Sequence, residues 1–249
     1  LVEDIERNTK LNQFQLKYPQ DVYFPEANEV DLRYRPSAKA RPQALINLAT
    51  TDIQSNENFS YLMQSLNALY PSLSGNTEVA NINLEETLYL ENTDLLHIPN
   101  GEIPDLDMYN SIAVDLNNYI NKQGGVILIE EKNNQPNLEG VLQKKIQELF
   151  DIPQGFGQDW SDSSKKHPLK NQPFLFTALP QWITDIHYFS GIIIVLGDLS
   201  SGWGGVMREP GENKNLSRND IRTAQELGIN ILNFAYKRRN MMKLLYSDN

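Results

Sequence analysis

Short apolar runs alternate with stretches of helical periodicity from Ala44 onward, and this alternation limits the possible folds more than any other feature. The apolar runs predict strands at 44–50, 77–84, 95–98, 126–129 and 191–196. Apolar residues at helical spacing predict helices at 56–69, 105–122, 137–150 and 217–236. Alternating strands and helices of these lengths predict an α/β fold with a doubly wound, mostly parallel sheet flanked by helices.

Two of these segments carry more detailed expectations. The run Gly191–Leu196 is the most hydrophobic, which predicts a central strand covered on both faces. Ser217 and Asp220 form a plausible capping box at the start of the last helix. Gly228 is unfavourable inside that helix by about 1 kcal/mol relative to alanine, so we expect the helix backbone to press closely on the sheet there. The basic residues 237–239 are expected at the helix end, where positive charge interacts favourably with the helix dipole.

The composition of residues 1–43 differs from that of the rest of the 249-residue chain. We predict an extended N-terminal arm or linker there, followed by one α/β domain at 44–240. Four prolines favour extended backbone in the arm, and its candidate partner-binding residues are Arg33, Tyr34, Arg35 and Arg41. The arm could pack on its own domain or reach a neighbouring subunit or preceding domain. Because the chain opens on Leu1 rather than methionine, we expect it to be a piece of a longer protein.

Prolines and glycines are frequent at 151–190, which predicts a loop-rich excursion within the domain. This segment is also rich in aromatic residues, including Phe174, Phe176, Trp182, Tyr188 and Phe189. Two interpretations remain open for them: a satellite of the core, or an exposed contact surface.

Charge and residue usage exclude several classes of function. The formal net charge is −10 and the isoelectric point is about 4.8, so neither nucleic acid nor an anionic membrane surface is an expected partner. The longest strongly apolar run, Ile192–Leu196, is far shorter than the ~20 residues that span a bilayer. The chain has no cysteine, which excludes disulfides, thiolate nucleophiles and cysteine-ligated zinc.

Acidic residues follow three of the predicted strands. Asp52, Glu130 and Asp198 are expected at the carboxyl edge of the sheet, where α/β proteins bind ligands. If the three carboxylates converge, they could hold a hard cation such as Mg²⁺ or Ca²⁺. The alternative is that they cap helices or accept hydrogen bonds from loop amides.

A glycine-rich segment at 197–205 contains the other candidate ligand-binding residues of this edge, Ser200, Ser201 and Trp203. It lacks the lysine of a GxxxxGK[ST] loop and the spacing of a GxSxG nucleophile elbow. Trp203 could serve as a binding platform or a lid, or it could fill a hole over the sheet edge.

The three histidines suggest little chemistry. His167 could face the strand-end crevice, where a Ser200–His167–Asp arrangement is conceivable, whereas His97 is expected to be a core histidine. None of the three has the spacing of a histidine metal site. No metal, cofactor or catalytic residue is predicted.

Spaced pieces of the chain resemble the domain-of-unknown-function 4159 family, whose members are similar in fold to class I glutamine amidotransferases. The pieces are Thr51-Asp52, Leu95-Leu96-His97, the Gly-Gly strand from Gly124 to Glu130, His167-Pro168-Leu169, Gly197-Asp198-Leu199, Gly202-Trp203, and Leu227 to Leu232. The resemblance implies a flavodoxin-like or amidotransferase-like domain over roughly residues 43–237.

This chain departs from that pattern in two ways. In amidotransferases of this fold the nucleophile is a cysteine after a sheet strand, so the absence of cysteine implies that glutaminase activity is excluded. The family often has an aspartate after the Gly-Gly strand, where this chain has Glu130-Glu131.

A finer resemblance, carried by Asp31–Arg35, Ala40–Gln43 and Arg222–Leu232, is to cyanobacterial members in which the domain follows a region similar to phage-baseplate proteins. It implies a non-catalytic structural or partner-binding module in a larger assembly, such as the baseplate of a contractile injection system. The expected location is the cytoplasm, with the periplasm or cell envelope as the alternative. The competing hypotheses are a small-molecule or carbohydrate-binding domain that uses the strand-end crevice, and an unclassified hydrolase.

Overall fold

The computed structural model of the protein describes residues 44–75, 78–84, 90–99, 110–131, 144, 146–150, 158–161, 167–209 and 212–246. The predicted arm, with Arg33, Tyr34, Arg35 and Arg41, lies outside the described residues. Its role as a partner contact therefore stays a prediction.

The described strands and helices alternate along most of the chain, as the sequence predicts. The strands are β1 (Ala44–Ile46), β2 (Leu48–Thr50), β3 (Leu73–Gly75), β4 (Ala80–Asn81), β5 (Leu95–Ile98), β6 (Val126–Glu131), β7 (Gln158–Asp159), β8 (Asp185–Phe189), β9 (Ile192–Leu196), β10 (Val206–Glu209) and β11 (Glu212–Asn215). The helices are α1 (Asn56–Leu69), α2 (Asn110–Asn121), α3 (Pro168–Asn171), α4 (Leu199–Gly204) and α5 (Arg218–Tyr246), with a 3-10 turn at Ile53–Ser55 and helical residues at 144 and 146–149.

A seven-stranded sheet in the order β4-β2-β5-β6-β9-β8-β7 forms the centre of the fold. The strands from β4 to β9 in this order are parallel, whereas β8 runs antiparallel to β9 and β7 antiparallel to β8. The predicted α/β fold with a mostly parallel sheet is thus confirmed. β9 lies between β6 and β8, so the prediction that the most hydrophobic run is a central strand is also confirmed.

Helices cover both faces of the sheet, and strand periodicity divides the core into two clusters. Leu48, Leu95, Leu128 and Ile193 face α1, α4 and α5 in the larger cluster. The strand residues that alternate with these, such as Leu96, point to the opposite face of the sheet and pack with α2 in the second cluster. Strands that are buried on both faces have continuous apolar sequences, which explains why the strands of this sheet could be predicted.

The segment at 151–190, predicted to be a loop-rich excursion, contributes a buried strand. β8 pairs along its whole length with β9, and Ile186 and Tyr188 point into the larger cluster. Ser190 and Gly191 connect the two strands with φ values of 39° and 97°, the geometry of a two-residue hairpin turn. This Ser-Gly turn is the hairpin signal that the prediction missed.

The last helix, α5, continues ten residues past its predicted end at 236. Ser217 caps its start, because its hydroxyl donates to Asp220 Oδ2 over 2.7 Å and accepts from the Asp220 N–H over 3.2 Å. The helix approaches closely at Gly228 as expected, but its neighbours there are Leu62 and Trp203 rather than the sheet. The basic residues 237–239 lie in mid-helix, so the prediction that they interact with the helix end is wrong.

The second predicted strand is shorter in the structure than in the prediction. The strand expected at 77–84 is reduced to the two residues of β4 in the described part of the chain.

No helix in the described ranges is both long and apolar enough to cross a membrane.

Candidate functional site

Polar side chains occupy the carboxyl ends of three neighbouring parallel strands. Thr50, His97 and Glu130 follow the inward-facing Leu48, Leu95 and Leu128 by two residues, so strand periodicity places them on the same face of the sheet. Thr50 lies opposite His97, and His97 lies opposite Leu128, two residues before Glu130.

These side chains form one connected group with Ser200, in the first turn of α4. Glu130 accepts hydrogen bonds from the Ser200 N–H (2.8 Å, at Oε1) and from the Ser200 hydroxyl (2.7 Å, at Oε2). His97 Nε2 lies 3.5 Å from Glu130 Oε2, and His97 Nδ1 lies 3.0 Å from the Thr50 hydroxyl. All four residues have an exposed fraction of 0%. We call Thr50, His97, Glu130 and Ser200 the strand-end network.

Burial decides what the strand-end network can do. A buried carboxylate is costly unless donors surround it, and Glu130 receives two hydrogen bonds and faces an imidazole nitrogen. A serine hydrogen-bonded to a carboxylate is a geometry compatible with nucleophilic chemistry, but a catalytic group must reach its substrate. Phe59 packs edge-on against His97, with its ring centroid 5.1 Å from that of the imidazole. The network therefore joins β6 to α4 inside the core.

The two other predicted carboxylates cap helices. Asp52 accepts from the Gln54 N–H (2.9 Å) and the Ser55 hydroxyl (3.0 Å) at the 3-10 turn. Asp198 accepts from the Ser201 N–H (3.2 Å) at the start of α4. These contacts match the capping alternative. Among the described residues, no group of three or more histidine, aspartate or glutamate side chains is placed to hold a metal ion.

Trp203 lies in the core rather than over a crevice. The segment predicted as a glycine-rich loop contains α4, and Trp203 in its last turn is only 1% exposed. Its ring contacts Phe59 at a centroid distance of 5.2 Å, and its indole N–H donates to the Ala224 carbonyl over 3.1 Å. This arrangement matches the alternative that Trp203 fills space at the sheet edge, and it does not support a binding platform or a lid.

His167 and Ser200 lie near opposite ends of strand β9. Its ring stacks on Tyr188 at 4.2 Å, and Tyr188 pairs with Ile193 near the start of β9. Ser200 follows the end of that strand, so the conceivable Ser200–His167 arrangement is not assembled. His97 is buried in the core as predicted, but its proximity to Glu130 was missed. Polar residues near the carboxyl ends of neighbouring predicted strands were the available signal.

A second buried polar group, which the sequence did not reveal, lies at the amino ends of the strands. The Arg238 guanidinium donates to the carbonyls of Ile120 (3.1 Å) and Ser190 (2.8 Å). The Arg239 guanidinium donates to the carbonyls of Glu91 and Thr93, and its Nε lies 3.2 Å from Asp94 Oδ1. We call Arg238, Arg239 and Asp94 the arginine network.

Asp94 connects the arginine network to the sheet. Its Oδ2 accepts from the Asn47 N–H over 2.8 Å, between β1 and β2. Burial raises the pKa of Asp94, and the Asn47 hydrogen bond and the Arg239 charge oppose that rise. The carboxylate therefore helps to fix the start of β5 against the first strands.

No family model matches this chain, and no curated protein matches it. The resemblances to the domain-of-unknown-function family and to baseplate-associated proteins therefore stay predictions.

Proposed function

We propose that this chain is a non-catalytic partner-binding module of a larger assembly, built on a flavodoxin-like or amidotransferase-like scaffold. The observation that carries the proposal is the burial of the strand-end network. Ser200 and Glu130, the residues best suited to chemistry at this edge, are enclosed in the core and bonded to each other.

Strand order supports the scaffold assignment. If β2, β4, β5, β6 and β9 are numbered in chain order, their arrangement across the sheet is 2-1-3-4-5, the order of flavodoxin-like sheets. Ligands of such sheets bind where the order reverses, which here is between β2 and β5. The hydrogen bond between Thr50 and His97 spans these two strands, and Phe59 packs over it. A filled switch point favours a scaffold role over a ligand-binding role.

The assembly role itself rests on the resemblance to baseplate-associated proteins. The arm at 1–43 carries four prolines and a basic cluster, a composition suited to reaching a neighbouring protein. We propose a component of a phage-tail-like contractile injection baseplate, located in the cytoplasm and attached to a larger structure.

The test is affinity purification of the full-length protein from its native cell at low salt, followed by mass spectrometry. We expect sheath, tube or baseplate proteins to be recovered in fixed proportion to the bait. Recovery of the bait alone would contradict the assembly role. Specific substrate turnover that disappears in Ser200→Ala or Asp198→Asn would contradict the non-catalytic role.

A further inference from the structure

A segment of the predicted arm has the sequence pattern of a β-strand with one buried face. Apolar and charged residues alternate without exception over seven positions, and the first proline after them is Pro36. The seven residues are Glu29, Val30, Asp31, Leu32, Arg33, Tyr34 and Arg35. Strict alternation predicts a strand whose apolar face is buried in a sheet. We call residues 29–35, which lie outside the described residues, the alternating segment.

The charged residues of the alternating segment distinguish it from other runs of this kind. Shorter runs at 13–18 and 80–85 alternate as well, and the second of these contains β4. In neither run is every polar residue charged, whereas all four polar residues of the alternating segment carry a charge. Charged side chains protect the outermost strand of a sheet from pairing with further chains. The alternating segment is therefore suited to the edge of a sheet.

The described sheet has a matching edge at β4. Among the strands that the structure describes, β4 is the outermost one next to β2. The Ile82 N–H donates to the Thr50 carbonyl over 2.9 Å, so alternation turns the backbone groups of Asn81 away from β2. Residues 79–84 contain neither a charge nor a proline, which are common protections of edge strands. The outer side of β4 is thus suited to pairing with one more strand.

The apolar side chains along this edge lie on the face of the sheet that carries the second core cluster. Ile82 packs against that cluster and is partly exposed, and Ala80 on the same face is exposed. Nearer the amino edge, Leu45 of β1 points to this face, because its neighbour Ile46 belongs to the larger cluster. Leu45 is 55% exposed. A strand beside β4 would therefore extend an apolar face with its own apolar residues, and its charged residues would continue the face of Asn81.

The length of the connection selects β4 over the other edge of the sheet. The nine Cα steps from Arg35 to Ala44, where β1 begins, span at most about 30 Å. Strands are about 4.8 Å apart, so a strand outside β4 lies two spacings, about 10 Å, from β2. A strand outside β7 lies six spacings, about 29 Å, from β2, which only a fully straight connection could cover. Because β1 begins at the amino edge, a short connection also places Arg35 at that edge and makes the added strand antiparallel to β4.

We propose that the alternating segment forms a β-strand that pairs antiparallel with the outer side of β4 in the same molecule. Its three apolar residues continue the face of Ile82, and Arg33 and Arg35 lie together on the charged face. This pairing goes beyond the proposed assembly role and does not depend on it. It leaves residues 1–28 of the arm to reach a neighbouring protein.

Hydrogen exchange of the complete 249-residue chain, followed by mass spectrometry, tests the proposal. Every second amide of the alternating segment faces β4 in such a pairing. In the wild type we expect these amides to exchange at least about tenfold more slowly than in an unstructured peptide. The rates should be the same at low and high protein concentration, because both strands belong to one molecule.

Two serine substitutions separate the faces of the added strand. Leu32→Ser removes an apolar side chain from the buried face and should raise exchange in the alternating segment at least about tenfold. Exchange of the Asn81 amide should rise with it, because this N–H loses its partner. The matched control is Asp31→Ser, which introduces the same residue on the charged face and should change exchange by less than about threefold.

A substitution in β4 tests the same pairing from the other side. Asn81→Pro removes an N–H that faces away from β2, a position at which an edge strand tolerates proline. Exchange in the alternating segment should rise at least about tenfold in this variant as well. Urea denaturation should establish that the variant folds, and Leu32→Ser tests the pairing without any change to the described residues.

Three results would overturn the proposal. The first is exchange of the wild-type alternating segment at the rate of an unstructured peptide. The second is protection that Leu32→Ser leaves unchanged, or removes without any change at the Asn81 amide, since the segment would then pair elsewhere. The third is protection that weakens on dilution, which would assign the strand to the sheet of a second copy. None of these results decides the proposed assembly role, which depends on the partners recovered from the native cell.

Discussion

The strand-end network and the arginine network lie at opposite ends of the same sheet, and they keep buried charge in different ways. The strand-end network connects side chains to side chains, with Glu130 bonded to Ser200 and facing His97. The arginine network mainly connects side chains to backbone, because Arg238 and Arg239 donate to four loop and helix-end carbonyls.

The two networks therefore differ in what determines them: strand register places the residues of the first, whereas the second joins residues that are far apart in the sequence. Thr50 lies opposite His97, and Glu130 lies on the same face two residues beyond the residue opposite His97, so their proximity follows from strand register and side-chain alternation. Arg238 instead reaches carbonyls 118 and 48 residues away along the chain. It fastens the end of α2 and the β8–β9 turn to α5, which no local pattern specifies. At the sheet edge that α/β proteins commonly use for ligands, the described side chains of the strand-end network are thus buried and bonded to one another. At the opposite edge, α5 connects the loops and helix ends through its two arginines.

The largest effect is expected from breaking the arginine network. Arg238→Ala removes one of the largest fully buried side chains and leaves two carbonyls without their donor. We expect a loss of about 3 to 5 kcal/mol in the free energy of unfolding, measured by urea denaturation. Arg222→Ala on the same helix is the control, because its ion pair with Glu226 is at the surface and should contribute less than about 0.5 kcal/mol. Equal effects of the two substitutions would contradict the role of Arg238.

A smaller effect is expected from removing the charge of the strand-end network. Glu130→Gln keeps the shape of the side chain but replaces charge-assisted hydrogen bonds to Ser200 with neutral ones. We expect a loss of about 1 to 2 kcal/mol in the free energy of unfolding. The control is Asp52→Asn at the same edge, which keeps an acceptor for the Gln54 N–H and should change stability by less than about 0.5 kcal/mol. A Glu130→Gln variant as stable as the wild type would show that the charge is not needed in the fold.

The smallest effect is a difference in pH dependence. Because burial raises the folded-state pKa of Asp94 above its ordinary value of 3.8, the folded state binds this proton more tightly than the unfolded state. The contribution of Asp94 to stability is therefore fully present below 3.8 and declines as the pH rises from there through the folded-state pKa. We expect the stability of the wild type relative to Asp94→Asn to fall with rising pH over that window, in a series of urea titrations. A relative stability that rises with pH there would contradict the sign of the shift.

Sequence patterns predicted the parallel sheet, because strands covered on both faces become apolar runs that alternate with amphipathic helices. They did not predict β8, since the prolines around Pro168 and Pro180 suggested a loop and the Ser190-Gly191 turn went unrecognised. At the candidate site they placed Glu130 and Ser200 at the carboxyl edge of the sheet, where the two side chains meet, and the predicted ligand-binding role of both stays a prediction. The contact of His97 with Glu130 was missed because His97 lies in an apolar run. The burial of Arg238 and Arg239 was missed because their acceptors are backbone carbonyls, which every residue has and no sequence pattern identifies.

The central claim is that the strand-end network holds the fold together rather than performing chemistry, and Ser200→Ala tests it most directly. Residues kept for catalysis or ligand binding often reduce stability, so replacing them tends to leave a protein as stable as before or more so. If the network is structural, Ser200→Ala removes one donor from buried Glu130 and lowers the free energy of unfolding by about 1 to 2 kcal/mol. An unchanged or increased free energy of unfolding would contradict the claim and mark Ser200 as a functional group.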